Sequence, residues 1–220
     1  MDNEKAPIQA LEEIKQMMDR GSRFVSLSGL SGVAAGVCAL VAAGIAYKKL
    51  YSNRFNTIGN YRGEDPISIA ELMQAKQQLF LLALITFFAA FLLAFLFTLL
   101  RSKKTGVPVW GFIARKVLVN IVIPMLMGGL VVWRLADYGY FGFIAPSCLI
   151  FYGLALVNAS KFTLSEVRYL GYFQLLLGAI NLWAIGYGLF FWAAGFGVLH
   201  IIYGIMMWLK YERKEKTVAS

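Results

Sequence analysis

The chain holds a single histidine, His200, inside the string GFGVLHIIYG. It lies within a block, residues 169–209, that carries no charged residue. An imidazole can be a general base, a metal ligand or a hydrogen-bonding group, and in hydrocarbon it is costly unless it finds a partner. The polar side chains expected to share its environment are amides: Asn181 and Gln174 earlier in the same block, and Asn120 further upstream. Neutral His200 is therefore expected to hydrogen-bond an amide or hydroxyl of a neighbouring helix, with Asn181 the first partner and Gln174 the second. Nucleophilic chemistry would need a hydroxyl beside the imidazole. Ser28, Ser31 and Ser147 lie in or near apolar segments, but nothing local links them to His200. The chain has no HExxH, GxSxG, Walker or dinucleotide-binding pattern. One histidine cannot build a histidine-rich metal site. Cys38 and Cys148 form no CxxC pair and read as small apolar residues. The sequence thus assigns no catalytic residue, no metal site and no cofactor.

The elements that position these groups are apolar helices. Hydrophobic residues make up 59% and charged residues 15% of the 220 positions, where soluble domains carry about 25% charged residues. The apolar residues come in blocks that match the thickness of a bilayer. The expected fold is all-α, a polytopic transmembrane bundle of six helices, with spans near 24–47, 79–100, 117–133, 140–157, 169–186 and 188–209. The long last block must fold back on itself, and IGYG at Ile185–Gly188 is the expected turn. Spans five and six are then antiparallel neighbours.

The net charge of +9 would suit nucleic acid in a soluble protein. Here the basic residues flank apolar blocks, so the positive-inside rule accounts for them and the lipid bilayer is the expected partner. With both termini inside, only Lys48, Lys49, Arg54, Arg62, Lys76 and Arg134 of the 21 basic residues fall outside. The first apolar block follows a charged segment and exceeds a signal-peptide core in length, so it is expected to stay as a span.

Outside the spans, residues 1–23 read as an amphipathic N-terminal helix on the cytoplasmic side. Ile8, Leu11, Ile14 and Met18 share one face, and Pro7 suits the first turn. Such a helix lies at lipid headgroups or against the loops; its alternative role is to dock a cytoplasmic partner. In the first outer loop, Tyr47, Tyr51, Phe55 and Tyr61 read as interfacial anchors. Asp65 and Pro66 offer start signals for a long second helix running to about Arg101. Residues 210–220 form a basic cytoplasmic tail.

Helices in lipid associate through close packing of small residues and occasional hydrogen bonds. Gly29, Gly32 and Gly36 give the first span a small face. Gly171, Gln174, Gly178 and Asn181 do so in the fifth, and Gly197, His200 and Gly204 in the sixth. The fifth and sixth faces are expected to meet. Whether the first faces its own chain or a second copy is open, so a homo-oligomer or a membrane-protein partner stays among the expected partners. Pro124 should kink the third span, and Gly142 with Pro146 should bend the start of the fourth.

Three strings, ALEEIKQMMDRGSRFVSLSGLSGV, FTLSEVRYLGYFQLLLGAINLW and GYGLFFWAAGFGVLHIIYGIMMWLKYE, resemble segments of six-span proteins of Bacteroidetes bacteria. That family carries no assigned activity, so the resemblance implies a bacterial inner-membrane protein and transfers no catalytic residue. The leading functional expectation is a non-enzymatic interaction, sensory or regulatory membrane module. The alternatives are a small-solute transporter or channel, which would line a wet cavity with His200, Asn181, Gln174 and Asn120, and an intramembrane lipid-modifying enzyme. Transport coupled to protons usually uses a buried carboxylate, and no acidic residue falls in a span core; Asp137 sits in the short third-to-fourth loop.

Overall fold

The computed structural model describes residues 28–51, 69–106 and 110–213. The amphipathic N-terminal helix, the outer-loop anchors beyond Tyr51, the Asp65–Pro66 start signals and the end of the basic tail lie outside the described residues. Those residues form long helices and no strand. In chain order they are α1 (Gly29–Tyr51), α2 (Ile69–Thr105), α3 (Phe112–Asp137), α4 (Ile144–Ala159), α5 (Glu166–Trp183) and α6 (Gly188–Glu212). A 3₁₀ turn at Phe141–Phe143 leads into α4, where Gly142 and Pro146 were expected to bend the chain. α3 continues as one helix through Pro124.

Glycine appears where the chain needs a left-handed backbone. Gly106 ends α2 with φ +70°, Gly139 turns α3 toward α4 with φ +78°, and Gly186 makes the α5–α6 hairpin with φ +102°. The hairpin is the IGYG turn expected from sequence. It is closed by Tyr187 N–H donating to the Ala184 carbonyl at 3.2 Å.

Among the described residues, five helical segments are long and apolar enough to cross a membrane: Gly29–Lys49, Gln77–Lys104, Phe112–Asp137, Phe141–Ala159 and Gly188–Glu212. α5 is not among them, because Glu166, Arg168 and two amides dilute its 18 residues. Many large apolar side chains face outward, as Phe88, Phe91, Leu126 and Leu130 do. Apolar area of this extent is compatible with a membrane-embedded protein and unsuited to water.

The helices pack as two sets of three. α1 lies between α2 and α6, while α4 lies between α3 and α5. α6 joins the sets by touching α4 and α5. The flanking helices α2 and α3 bury one narrow stripe each and leave the rest exposed. On the outer side of α2, the rings of Phe87, Phe91 and Phe95 stack with centroids 6.4 and 6.2 Å apart.

The glycine faces do not pair as the sequence suggests. The small faces of α5 and α6 point to different partners. A methyl on Gly171 would lie 3.0 Å from the Gly153 carbonyl oxygen of α4, and one on Gly178 would lie 2.7 Å from Ile150 of α4. Gly197 and Gly204 of α6 instead receive α1, while Gly195 faces Leu149 of α4 and Gln174 of α5. A methyl on Gly36 would lie 2.7 Å from the Gly197 carbonyl oxygen, and one on Gly204 would lie 2.6 Å from the Gly29 carbonyl oxygen. Backbones come closest where both helices bring a small residue to one level. Gly153 supplies that match for α5, and Gly29, Gly32 and Gly36 supply it for α6. The first-span stripe therefore faces a helix of its own chain.

Candidate functional site: a mid-helix polar centre and a charged clamp on α6

Two polar centres sit on α6. The first surrounds His200, which is 7% exposed. Its helix carries a π-helical stretch, Ala193–Leu199, immediately before it. Wider turns of this kind are frequent at functional positions. The Gly195 carbonyl within that stretch lies 2.9 Å from His200 Nδ1 and accepts from Gln174 Nε2 at 2.8 Å. A carbonyl only accepts, so Nδ1 carries the ring proton. Nε2 is then the acceptor, and the Tyr152 hydroxyl on α4 donates to it at 2.8 Å. The neutral tautomer of His200 follows from these two bonds.

Aromatic rings pack around the pair. The His200 ring stacks on Phe196 with centroids 6.0 Å apart, and Tyr152 lies 5.4 Å from the imidazole and 5.1 Å from Phe196. Trp192 continues the row at 5.3 Å from Phe196. Trp192, Phe196 and His200 recur every four residues and so share one face of α6.

The amides take separate places. Gln174, fully buried, joins the centre through the Gly195 carbonyl rather than by touching the imidazole. Asn181, also fully buried, donates to the Ala184 carbonyl at 3.0 Å and fastens the hairpin turn. The expected His200–Asn181 bond is replaced, because the turn begins just beyond Asn181 and leaves a carbonyl within its reach. Asn120 does not join the centre; its amide donates to the Lys116 carbonyl of its own helix at 2.8 Å. α3 contacts α4 and lies away from α6, which puts Asn120 out of range of His200.

The partner is a hydroxyl of a neighbouring helix, as the sequence allows, but Tyr152 is not among the residues the sequence singles out. The signal was present: a tyrosine deep in an apolar segment buries a hydroxyl that must find a partner.

The second centre lies at the C-terminal end of α6, where another π-helical turn spans Trp208–Glu212. One carboxylate oxygen of Glu212 accepts from Gly29 N at 2.6 Å, from Arg101 Nη1 at 2.9 Å and from Ser28 Oγ at 3.1 Å. Glu212 thereby caps α1 from the opposite end of the chain, placing negative charge at a helix N-terminus. Arg101 is 7% exposed and forms an ion pair with it. The second helix, expected to run to about Arg101, continues to Thr105 and so holds Arg101 within its last turns.

On the other side of the same turn, Glu166 in the first turn of α5 is paired with Lys210 and accepts from the Tyr211 hydroxyl at 2.9 Å. Burial pushes the Glu166 carboxyl up, but its bonds to Lys210 and Tyr211 outweigh that and hold it below its ordinary value. The charged clamp thus ties the starts of α1 and α5 and the end of α2 to the end of α6. Arg168 Nε adds a 3.4 Å bond to Ser160 Oγ at the α4–α5 turn, and Lys116 lies 5.6 Å over the Phe162 ring. These contacts gather six helix ends in one layer: the starts of α1, α3 and α5 with the ends of α2, α4 and α6.

Among the described residues, no group of three or more His, Cys, Asp or Glu side chains is placed to hold a metal ion. No family profile, curated protein or solved structure matches this chain.

Proposed function

We propose that this chain is a six-span integral membrane protein of a bacterial inner membrane, with both termini cytoplasmic, and that it works as a non-enzymatic sensory or regulatory module. α5 is the sixth span in this reading, since it packs between α4 and α6 and starts level with the other ends of the basic layer. The bacterial inner membrane rests on the resemblance of three segments to Bacteroidetes proteins.

One observation carries the functional part: α6 holds both the mid-helix centre and the clamp beside the C-terminal tail. A change around His200 is therefore mechanically connected to the ends of α1, α2 and α5. The donor groups of the centre are bound to backbone carbonyls and His200 Nε2 accepts from Tyr152, which supports a packing role, while the buried Gln174 Oε1 and Asn181 Oδ1 have no hydrogen-bond partner among the described residues.

Two measurements test the proposal. Purified protein in liposomes is expected to leave permeability to glycerol, chloride and phosphate at the protein-free level; flux above that level overturns the module reading in favour of a channel. A spin label at Lys216→Cys, in a Cys38→Ser and Cys148→Ser background, is expected to change its mobility when His200→Asn is added. An unchanged label would break the link between centre and tail.

A further inference from the structure

Between the two centres lies Tyr203. It is 8% exposed, and its buried hydroxyl oxygen has no hydrogen-bond partner among the described residues. A buried hydroxyl without a partner is unfavourable, and such groups are ordinarily completed by ordered water. Tyr203 packs in a cluster with Leu156 of α4, with Leu164 of the α4–α5 turn, with Val167 and Leu170 of α5, and with Met207; Tyr152 and Tyr211 pack against the same cluster. His200, Tyr203 and Met207 share one face of α6 by their spacing. This face leads from the imidazole toward the clamp, where Tyr211 and Lys210 hold Glu166.

We propose that Tyr203 holds water between Tyr152 and the Tyr211–Glu166 pair, forming a hydrogen-bonded path that connects His200 to the basic end of the molecule. The ligand class is water and the protons it carries. The path begins at Glu166 on α5, where Lys210 is half exposed. It passes Tyr211 and Tyr203 on α6 and reaches Tyr152 on α4, whose hydroxyl already donates to Nε2. At this level α1 sets Gly32 and the apolar Val33 side chain against the α6 backbone at His200 and Gly204. Proton movement along it balances: Tyr152 passes its hydroxyl proton to Nε2 and takes one from the water, which is replenished from solvent at the basic end. His200 gains one proton and becomes imidazolium, with Nδ1 still donating to the Gly195 carbonyl. This makes the single histidine addressable from one side and goes beyond a packing role.

The single histidine makes the test direct. In protein labelled with ¹⁵N-histidine and placed in lipid bilayers, solid-state NMR is expected to show transfer of magnetisation from water to His200 Nε2. Tyr203→Phe should abolish that transfer while leaving the ¹⁵N shifts of the Nδ1-protonated tautomer unchanged, which a merely structural role of Tyr203 would not produce. Glu212→Gln, which loosens the other side of the clamp, should leave the transfer intact. The proposal is overturned if wild type shows no transfer, if Tyr203→Phe retains it, or if Glu212→Gln abolishes it too. Solute flux in liposomes bears on the module reading and leaves this result untouched.

Discussion

At His200, the Nδ1 proton is fixed by a carbonyl and the Nε2 lone pair by Tyr152, so each partner can be removed separately. Tyr152→Phe keeps the ring that packs on Phe196 but leaves Nε2 a buried acceptor without a donor. The expected cost is about 1 kcal/mol, in the range measured for hydrogen bonds between helices in membranes. It should appear as a lowered midpoint in denaturation from mixed micelles; an unchanged midpoint would show that Tyr152 contributes only its ring. Glu166 gives a pH-dependent counterpart. Its folded pKa lies below the ordinary value of 4.5. Its contribution to stability is therefore complete above that value and is lost as pH falls through the lowered folded pKa. Glu166→Gln should be less stable than wild type at neutral pH, and the difference should shrink as the pH is lowered below 4.5. Melting curves at neutral and acid pH measure this, and a gap that widens in acid would contradict the sign.

At the level of the helices, glycine positions separate contacts from mere presence. Gly36→Ala pushes a methyl to 2.7 Å from the Gly197 carbonyl and from Ile201, and backbone must move to admit it. Overpacking of this kind costs about 1–3 kcal/mol. Gly44→Ala, on the same helix, meets nothing within 4 Å and should be neutral or stabilising by up to about 1 kcal/mol through helix propensity. Thermal stability in detergent distinguishes them, and equal effects would remove the assignment of this face to α6. The stripe itself is legible from spacing, because small residues three and four apart lie on one helical face. Its partner is not: matching Gly171 to Gly153, or Gly36 to Gly197, depends on which helices lie side by side. The same holds for Arg101 and Glu212, which stand 111 positions apart. Each reads locally as a charge flanking an apolar block. Tyr152 and Tyr203 announce buried hydroxyls in the sequence, but not which groups those hydroxyls meet.

For the whole molecule, alternation of the helices and the gathering of six ends around Glu212, Glu166 and Ser160 define two opposite faces. One carries the clamp. The other carries the Gly139 and Gly186 turns, the Arg134–Asp137 pair at 3.6 Å and the Tyr47–Phe190 contact at 6.1 Å. If α5 spans the bilayer with the rest, the positive-inside rule puts the clamp face in the cytoplasm. Single cysteines make this measurable, in a background where Cys38 and Cys148 are replaced by serine. Lys104→Cys, Lys161→Cys and Arg213→Cys should react with a membrane-impermeant maleimide only after the inner face is opened. Tyr138→Cys and Tyr187→Cys, both exposed side chains, should react in intact cells. Residue 187 is decisive for the number of spans. It follows α5 directly, so its labelling on the same side as residue 161 would mean that α5 returns without crossing. α5 would then be a helix held against the others by Gly171 and Gly178. Labelling of 187 with 138 on one side, and of 161 with 213 on the other, requires that α4, α5 and α6 each cross, which makes α5 a span.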